Sequence, residues 1–189
     1  VLLLLEAGAN KNKGQTIDGQ WRYEEATPLH VAAQNGHLEV VQILVESGAN
    51  KDEDDVYIAA GNGHLEVVRF LVESGAHKYR GRTFDGETPL FAAAQNGHRE
   101  VVQFLVESGA HEDQGQMFDD GEHETPLYVA AQKGHLEVVQ FLVESGANKD
   151  QGRTFDGETP LFAAAQNGHR EVVQFLVESG ANKDQGRTF

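Results

Sequence analysis

Nine histidines and thirty acidic residues are the groups in this 189-residue chain with the most chemical potential. Five histidines, His37, His64, His98, His135 and His169, each follow a glycine. So many imidazoles suggest a metal centre. Zinc ligands, however, must each come within about 2 Å of one ion. The Gly-His pairs recur at spacings of 27, 34, 37 and 34 residues. Equivalent side chains in stacked units lie on the order of 10 Å apart. His98 and His135 therefore cannot share an ion, and capping and hydrogen bonding between units are the expected tasks. The acidic runs Asp52-Glu53-Asp54-Asp55 and Asp119-Asp120-Gly121-Glu122 lack the ligand spacing of an EF-hand loop. No metal and no cofactor is expected.

Catalytic constellations fare no better. Glu39 and Glu46 lie seven residues apart on one helical face, which reads as a solvated face rather than an acid-base pair. Ser47, Ser74, Ser108, Ser145 and Ser179 each precede a glycine in a helix-capping context. The glycine-containing loops lack the Gly-Lys-Ser/Thr ending of a phosphate loop, and no Gly-x-Ser-x-Gly occurs. A repeated surface offers the same groups everywhere, while catalysis needs unlike groups converging in a pocket. The chain is not expected to be an enzyme, and no catalytic residue is assigned.

The elements that position these residues are themselves repeated. Thr-Pro-Leu begins near-identical stretches at Thr27, Thr88, Thr125 and Thr159, and a degraded copy begins near Asp54. Thr27 suits an N-cap, and Pro28 suits the first helical position, where no N–H is needed. Gly36 can end this helix in the left-handed conformation. His37 opens a second helix whose Val40, Val41, Leu44 and Val45 form one apolar stripe. Glu39 lies in its first turn, where the helix dipole favours negative charge. Gly48 closes it. Ala pairs such as Ala32-Ala33, Ala93-Ala94, Ala130-Ala131 and Ala164-Ala165 let first helices of adjacent units approach closely. A lone helix pair cannot bury its own stripe, so stability comes from stacking. A Val-to-Ala change in the stripe is expected to weaken two interfaces at once.

The stretch TPLHVAAQNGHLEVVQILVESGAN, Thr27 to Asn50, carries the Thr-Pro-Leu-His-x-Ala signature of a unit of about 33 residues. It resembles the ankyrin-repeat family, and the resemblance runs the length of the chain. It implies an all-α repeat solenoid of stacked helix-turn-helix units with hairpin-like finger loops. One continuous domain is expected. It comprises the second half of a unit with an enlarged finger (1–26), then units at 27–53, 54–87, 88–124, 125–158 and 159–189. The turn signals Gly152 and Asp156-Gly157 fit such a finger. In the family the histidine of Thr-Pro-Leu-His supports the finger base. Here only His30 keeps it; Tyr57, Phe91, Tyr128 and Phe162 replace it, and apolar packing is expected to substitute.

The departures between units carry the expected selectivity. The first finger is enlarged and holds Trp21, Arg22 and Tyr23, residue types enriched at binding hot spots. The finger after Gly48 is shortened, and Asp52 to Asp55 are expected to form an acidic notch, with Asp54 still able to cap its helix. An apolar residue recurs in the fingers at Ile17, Phe84, Phe118, Phe155 and Phe189; Tyr79 and Arg82 flank the second of these. By the resemblance, Gln34-Asn35, Gln95-Asn96, Gln132-Lys133 and Gln166-Asn167 lie on the concave face. These finger and concave-face residues form the expected partner-binding set.

A net charge of −15 and a pI near 4.9 argue against a nucleic-acid partner, which needs a basic stripe. The same charge favours a protein partner carrying a basic patch. No apolar run approaches the roughly 20 residues of a membrane span. The absence of cysteine excludes a disulfide framework and fits a cytoplasmic setting, with the nucleus left open. A monomer is expected. The chain starts and ends inside a unit, as a piece of a longer array would. The expected function is a protein–protein interaction scaffold or adaptor. Two alternatives stand beside it: a regulatory or substrate-recruiting arm of a larger enzyme such as a kinase or ubiquitin ligase, and a structural spacer or membrane-skeleton adaptor.

Overall fold

The computed structural model describes residues 27–51, 53–76, 87–111, 113, 116–117, 123–153 and 156–185. These residues form ten helices in five antiparallel pairs. The pairs are α1 (Pro28–Gln34) with α2 (Leu38–Glu46), α3 (Glu53–Gly61) with α4 (Leu65–Glu73), and α5 (Pro89–Gln95) with α6 (Arg99–Glu107). After a short hairpin, β1 (Gln116–Met117) and β2 (His123–Glu124), come α7 (Pro126–Lys133) with α8 (Leu136–Glu144), and α9 (Pro160–Gln166) with α10 (Arg170–Glu178).

Local chemistry sets the helix ends. Thr27, Thr88, Thr125 and Thr159 stand in extended backbone before α1, α5, α7 and α9, and a proline follows each. Their Oγ1 atoms accept the amide N–H of His30, Phe91, Tyr128 and Phe162 at 3.1, 3.1, 3.1 and 3.2 Å. The exception is α3, which already begins at Glu53 and so places Asp54 inside its first turn rather than before it. A carboxylate there still meets the positive end of the helix dipole. The second helices each start after a histidine whose side chain makes no cap bond, so capping by imidazole is not what those residues do. At the far end Gly48 adopts φ 81°. Its N–H reaches Val45 O and that of Ala49 reaches Leu44 O, both at 2.9 Å, closing a Schellman motif.

Stacking follows chain order. The first helices pack in the series α1–α3–α5–α7–α9, and the second helices in the series α2–α4–α6–α8–α10. The first row approaches more closely than the second, as its alanines permit. Leu29, Val56, Leu90 and Leu127 of the first helices and Leu71, Leu105, Leu142 and Leu176 of the second belong to one continuous apolar cluster through all five pairs. Ala33, Ala60, Ala94 and Ala131 are fully buried, whereas their equivalent Ala165 is exposed, because no described helix stacks on its far side.

The valine stripe divides its labour. In α4, α6 and α8 both valines of the pair are buried. In α10, Val172 is 1% exposed but Val173 is only half-buried. The first valine of each pair therefore faces the preceding unit, and the second faces the following one. Each serves one interface, not two.

Two described fingers are hairpin-like. β1 and β2 pair antiparallel, with Gln116 opposite Glu124 and Met117 opposite His123. In the next finger the Arg153 N–H donates to Glu158 O (2.9 Å) and the Gly157 N–H to Arg153 O (2.8 Å). Gly152 permits this turn, since a Cβ there would sit 2.4 Å from the Gly157 carbonyl oxygen.

Candidate protein-binding surface

Three ladders of polar contacts run along the stack, the first and third of them crossing the seams between units. The first is built from the Gly-His pairs. The Nε2 atoms of His64, His98, His135 and His169 lie 3.0, 3.0, 3.0 and 2.9 Å from the carbonyl oxygens of Gln34, Gly61, Gln95 and Gln132 in the preceding units. A neutral imidazole protonated at Nε2 donates this bond. Each ring also lies on the preceding unit's glycine: a Cβ at Gly36, Gly63, Gly97 or Gly134 would fall 2.4 to 2.6 Å from the imidazole Nδ1. The two residues of the dipeptide thus act in opposite directions. The histidine grips the unit before it, and the glycine receives the histidine of the unit after it.

The second ladder runs along the finger bases. Tyr57 donates its hydroxyl hydrogen bond to Glu87, and Tyr128 donates to Glu158 at 2.9 Å. In the first pair His30 Nδ1 lies 3.8 Å from Oδ1 of Asp55, which is wholly buried. The acidic run around position 54 therefore does not form a surface notch at Asp55. Phe91 has no hydroxyl to offer, and Glu124, at the corresponding position before Thr125, is bonded instead by Nη1 of Arg153 at 3.3 Å. Apolar packing accounts for Phe91, which is fully buried, but the tyrosines found carboxylates 30 residues on.

Arg153 is the hub of this region. Besides Glu124, its guanidinium bonds both oxygens of Asp156, contacts Glu158 at 3.5 Å, and lies 5.7 Å from the centre of the Tyr128 ring. Asp156 and Glu158 are 3% and 5% exposed, so the arginine supplies the charge that makes their burial tolerable. The hydrogen bond to Asp156 raises the Arg153 pKa further above its usual range. Burial, aided by the Glu158 bond, raises that of Tyr128 well above an ordinary phenol.

The third ladder joins fingers. Asp113 accepts the N–H of Asn148 at 3.0 Å, and Asp150 accepts that of Asn182 at 2.7 Å. The side chain of Gln185 adds a bond to the Asp150 carbonyl at 3.2 Å. None of these contacts was visible as a motif, although Asp113 and Asp150 recur at one position after Gly-Ala.

The expected binding residues are placed as follows. Gln34, Asn35, Asn96, Lys133, Gln166 and Asn167 are exposed at the ends of the first helices, and Gln95 and Gln132 are half-buried. They form a row across the stack. The asparagines also cap their own helices: Nδ2 of Asn35, Asn96 and Asn167 donates to the carbonyl four residues back at 2.8, 3.0 and 2.8 Å. Ile17, Trp21, Arg22, Tyr23, Tyr79, Arg82, Phe84, Phe118 and Phe155, with Phe189, lie outside the described residues. Among the described residues no three histidine or acidic side chains converge as metal ligands, and no helix is long and apolar enough to cross a membrane.

Stacked helix pairs with projecting fingers define a helical repeat protein. The family description "Ankyrin repeats (3 copies)" fits residues 54–116 and 111–187, and "Ankyrin repeat" fits residues 24–56, so the chain belongs to the ankyrin-repeat family. No curated protein matches it. Ankyrin-repeat domains are generally protein–protein interaction modules and typically lack catalysis of their own.

Proposed function

We propose that this chain is a scaffold or adaptor that holds a protein partner against its fingers and the concave face formed by the first helices. The observation that carries this reading is the polar row at the first-helix ends. Gln34 and Lys133 are exposed there close to the fully buried Ala33 and Ala131, so this part of the row is held rigidly while its side chains face solvent. Rigid presentation lowers the ordering cost of binding. Within the row, Gln34, Gln95, Lys133 and Gln166 are better placed for a ligand than the asparagines, which are engaged with their own helices, and than Gln132, whose Nε2 donates to the Tyr128 hydroxyl at 3.5 Å. Unlike finger residues, Trp21, Arg22, Tyr23, Tyr79, Arg82, Phe84, Phe118 and Phe155 among them, supply the selectivity that a uniform row lacks.

Charge favours a basic partner. The five second helices carry ten glutamates, every one exposed, and only three arginines. Two of these carboxylates stand on each helix, one in the first turn and one in the last. Such a field steers a partner with a basic patch and weakens with salt. The test is capture of partner proteins by the wild-type chain and by a Trp21→Ala, Phe84→Ala double variant, at low and high salt. Loss of capture in the variant, and weakening by salt in the wild type, is the expected result. Capture that survives both changes and ignores salt overturns the finger-centred reading.

A further inference from the structure

Two long stretches of this chain are the same, at an offset of 71 residues. Residues 81–110 and 152–181 are identical. The match extends back over 63–80 and 134–151 with four differences: Arg69 for Gln140, His77 for Asn148, Tyr79 for Asp150 and Arg80 for Gln151. Each stretch carries one seam between helix pairs. The seam of α3–α4 with α5–α6 and that of α7–α8 with α9–α10 agree in their polar contacts. Nε2 of His98 lies 3.0 Å from Gly61 O, and Nε2 of His169 lies 2.9 Å from Gln132 O. A Cβ on Gly63 or Gly134 would fall 2.6 or 2.4 Å from Nδ1 of the following ring. Tyr57 donates to Glu87 and Tyr128 to Glu158, carboxylates that hold the same place in the identical segments. The intervening seam differs, with Phe91 in place of the tyrosine and the β1–β2 hairpin in its finger.

We propose that two copies of this chain exchange helix pairs during folding, at an offset of two units. α3–α4 of one copy receive α9–α10 of the other, and α7–α8 of the other receive α5–α6 of the first. A seam forming on α3–α4 has no means of telling α5–α6 from α9–α10, because the arriving segments are identical in every residue. Exchange of this kind is a characteristic failure of repeat proteins. Here it leaves no seam unfilled. Within one chain the same slip sets α5 to α8 aside and forfeits a seam, so the exchanged pair of copies is the form that persists. Eleven residues join the helix pairs at each exchange point, 77–87 and 148–158. Drawn out, such a link reaches about 35 Å, enough to pass between two adjacent stacks. The second link must first open its turn, in which the Arg153 N–H donates to Glu158 O at 2.9 Å. The chain's own next helix pair is present at an effective concentration on the order of 1 mM. At about 100 μM protein, on the order of a tenth of the first seams therefore form between copies.

The test places pyrene on Arg69→Cys and Gln174→Cys in the 189-residue protein, which has no cysteine of its own. Both positions are exposed on second helices. Within one folded chain they stand three units apart, on the order of 30 Å. In the offset pair they stand on adjacent helices, on the order of 10 Å apart, close enough for excimer emission. Arg69→Cys with Gln103→Cys, on adjacent units of one chain, gives the reference signal of a filled seam. Refolding from urea at about 100 μM is expected to give a dimer on size exclusion, on the order of a tenth of the protein, whose 69 and 174 labels emit as an excimer. At about 10 μM that fraction falls roughly tenfold. The unlabelled wild type, refolded alongside, is expected to give the same dimer fraction. Refolding that yields no dimer overturns the proposal. So does a dimer without excimer emission, which is exchange in register.

Discussion

The valine stripe offers a controlled comparison within one molecule. Residues 99–107 and 170–178 are the same nine residues, Arg-Glu-Val-Val-Gln-Phe-Leu-Val-Glu. Val102 in α6 is 0% exposed, while its counterpart Val173 in α10 is half-buried. Replacing valine by alanine removes two methyl groups, each worth about 0.8 kcal/mol when buried, and the cavity adds to this. Val102→Ala is therefore expected to cost about 2 kcal/mol, and Val173→Ala about 1 kcal/mol or less. Val172→Ala, at a site 1% exposed, is expected to approach the Val102 value despite lying beside Val173. Urea unfolding followed by circular dichroism reads the difference. With a slope of about 2 kcal/mol per molar, Val102→Ala lowers the midpoint by about 1 M. A Val173→Ala cost equal to that of Val102→Ala would refute the assignment of one valine to each interface.

Two further perturbations probe the finger base. Arg153→Met removes the cation shared by Glu124, Asp156 and Glu158, and is expected to cost about 3 kcal/mol. Hydrogen exchange should quicken first at the Gly157 and Glu158 amides, which are bonded within this turn. Tyr128 has a folded-state pKa above its unfolded value of about 10, so its contribution is full below about pH 10 and is lost as pH rises through the folded value. An alkaline unfolding limb is expected in the wild type, and Tyr128→Phe should flatten it while lowering stability near neutrality by about 1–3 kcal/mol.

The parts of the fold legible in the sequence are those decided locally. Thr27-Pro28 and Gly36 mark helix ends because a hydroxyl, a missing N–H and a left-handed glycine act within a few residues of themselves. The spacing of Val40, Val41, Leu44 and Val45 shows a buried stripe for the same reason. Contacts between units were only partly legible. Hydrogen bonding by the histidines was expected, but their acceptors are backbone carbonyls, and a carbonyl leaves no trace in residue type. Tyr57 and Tyr128 read as packing because an aromatic side chain announces its bulk, while the carboxylate its hydroxyl meets lies 30 residues on, at the far end of the same unit. Asp55 looked like surface charge until a shortened finger placed it against His30. Of the expected binding set, the Gln-Asn row stands at the helix ends; the finger residues lie outside the described positions.

Each pair of helices draws its stability from its neighbours, so the most direct measurement is a cut. Ending the chain after Glu158 removes α9 and α10 together with the bonds from Asn182 and Gln185 to Asp150. Far-ultraviolet circular dichroism and urea unfolding should then show the helices of α1 to α8 retained, with a lowered midpoint. Loss of helical structure throughout the shortened chain would contradict the account.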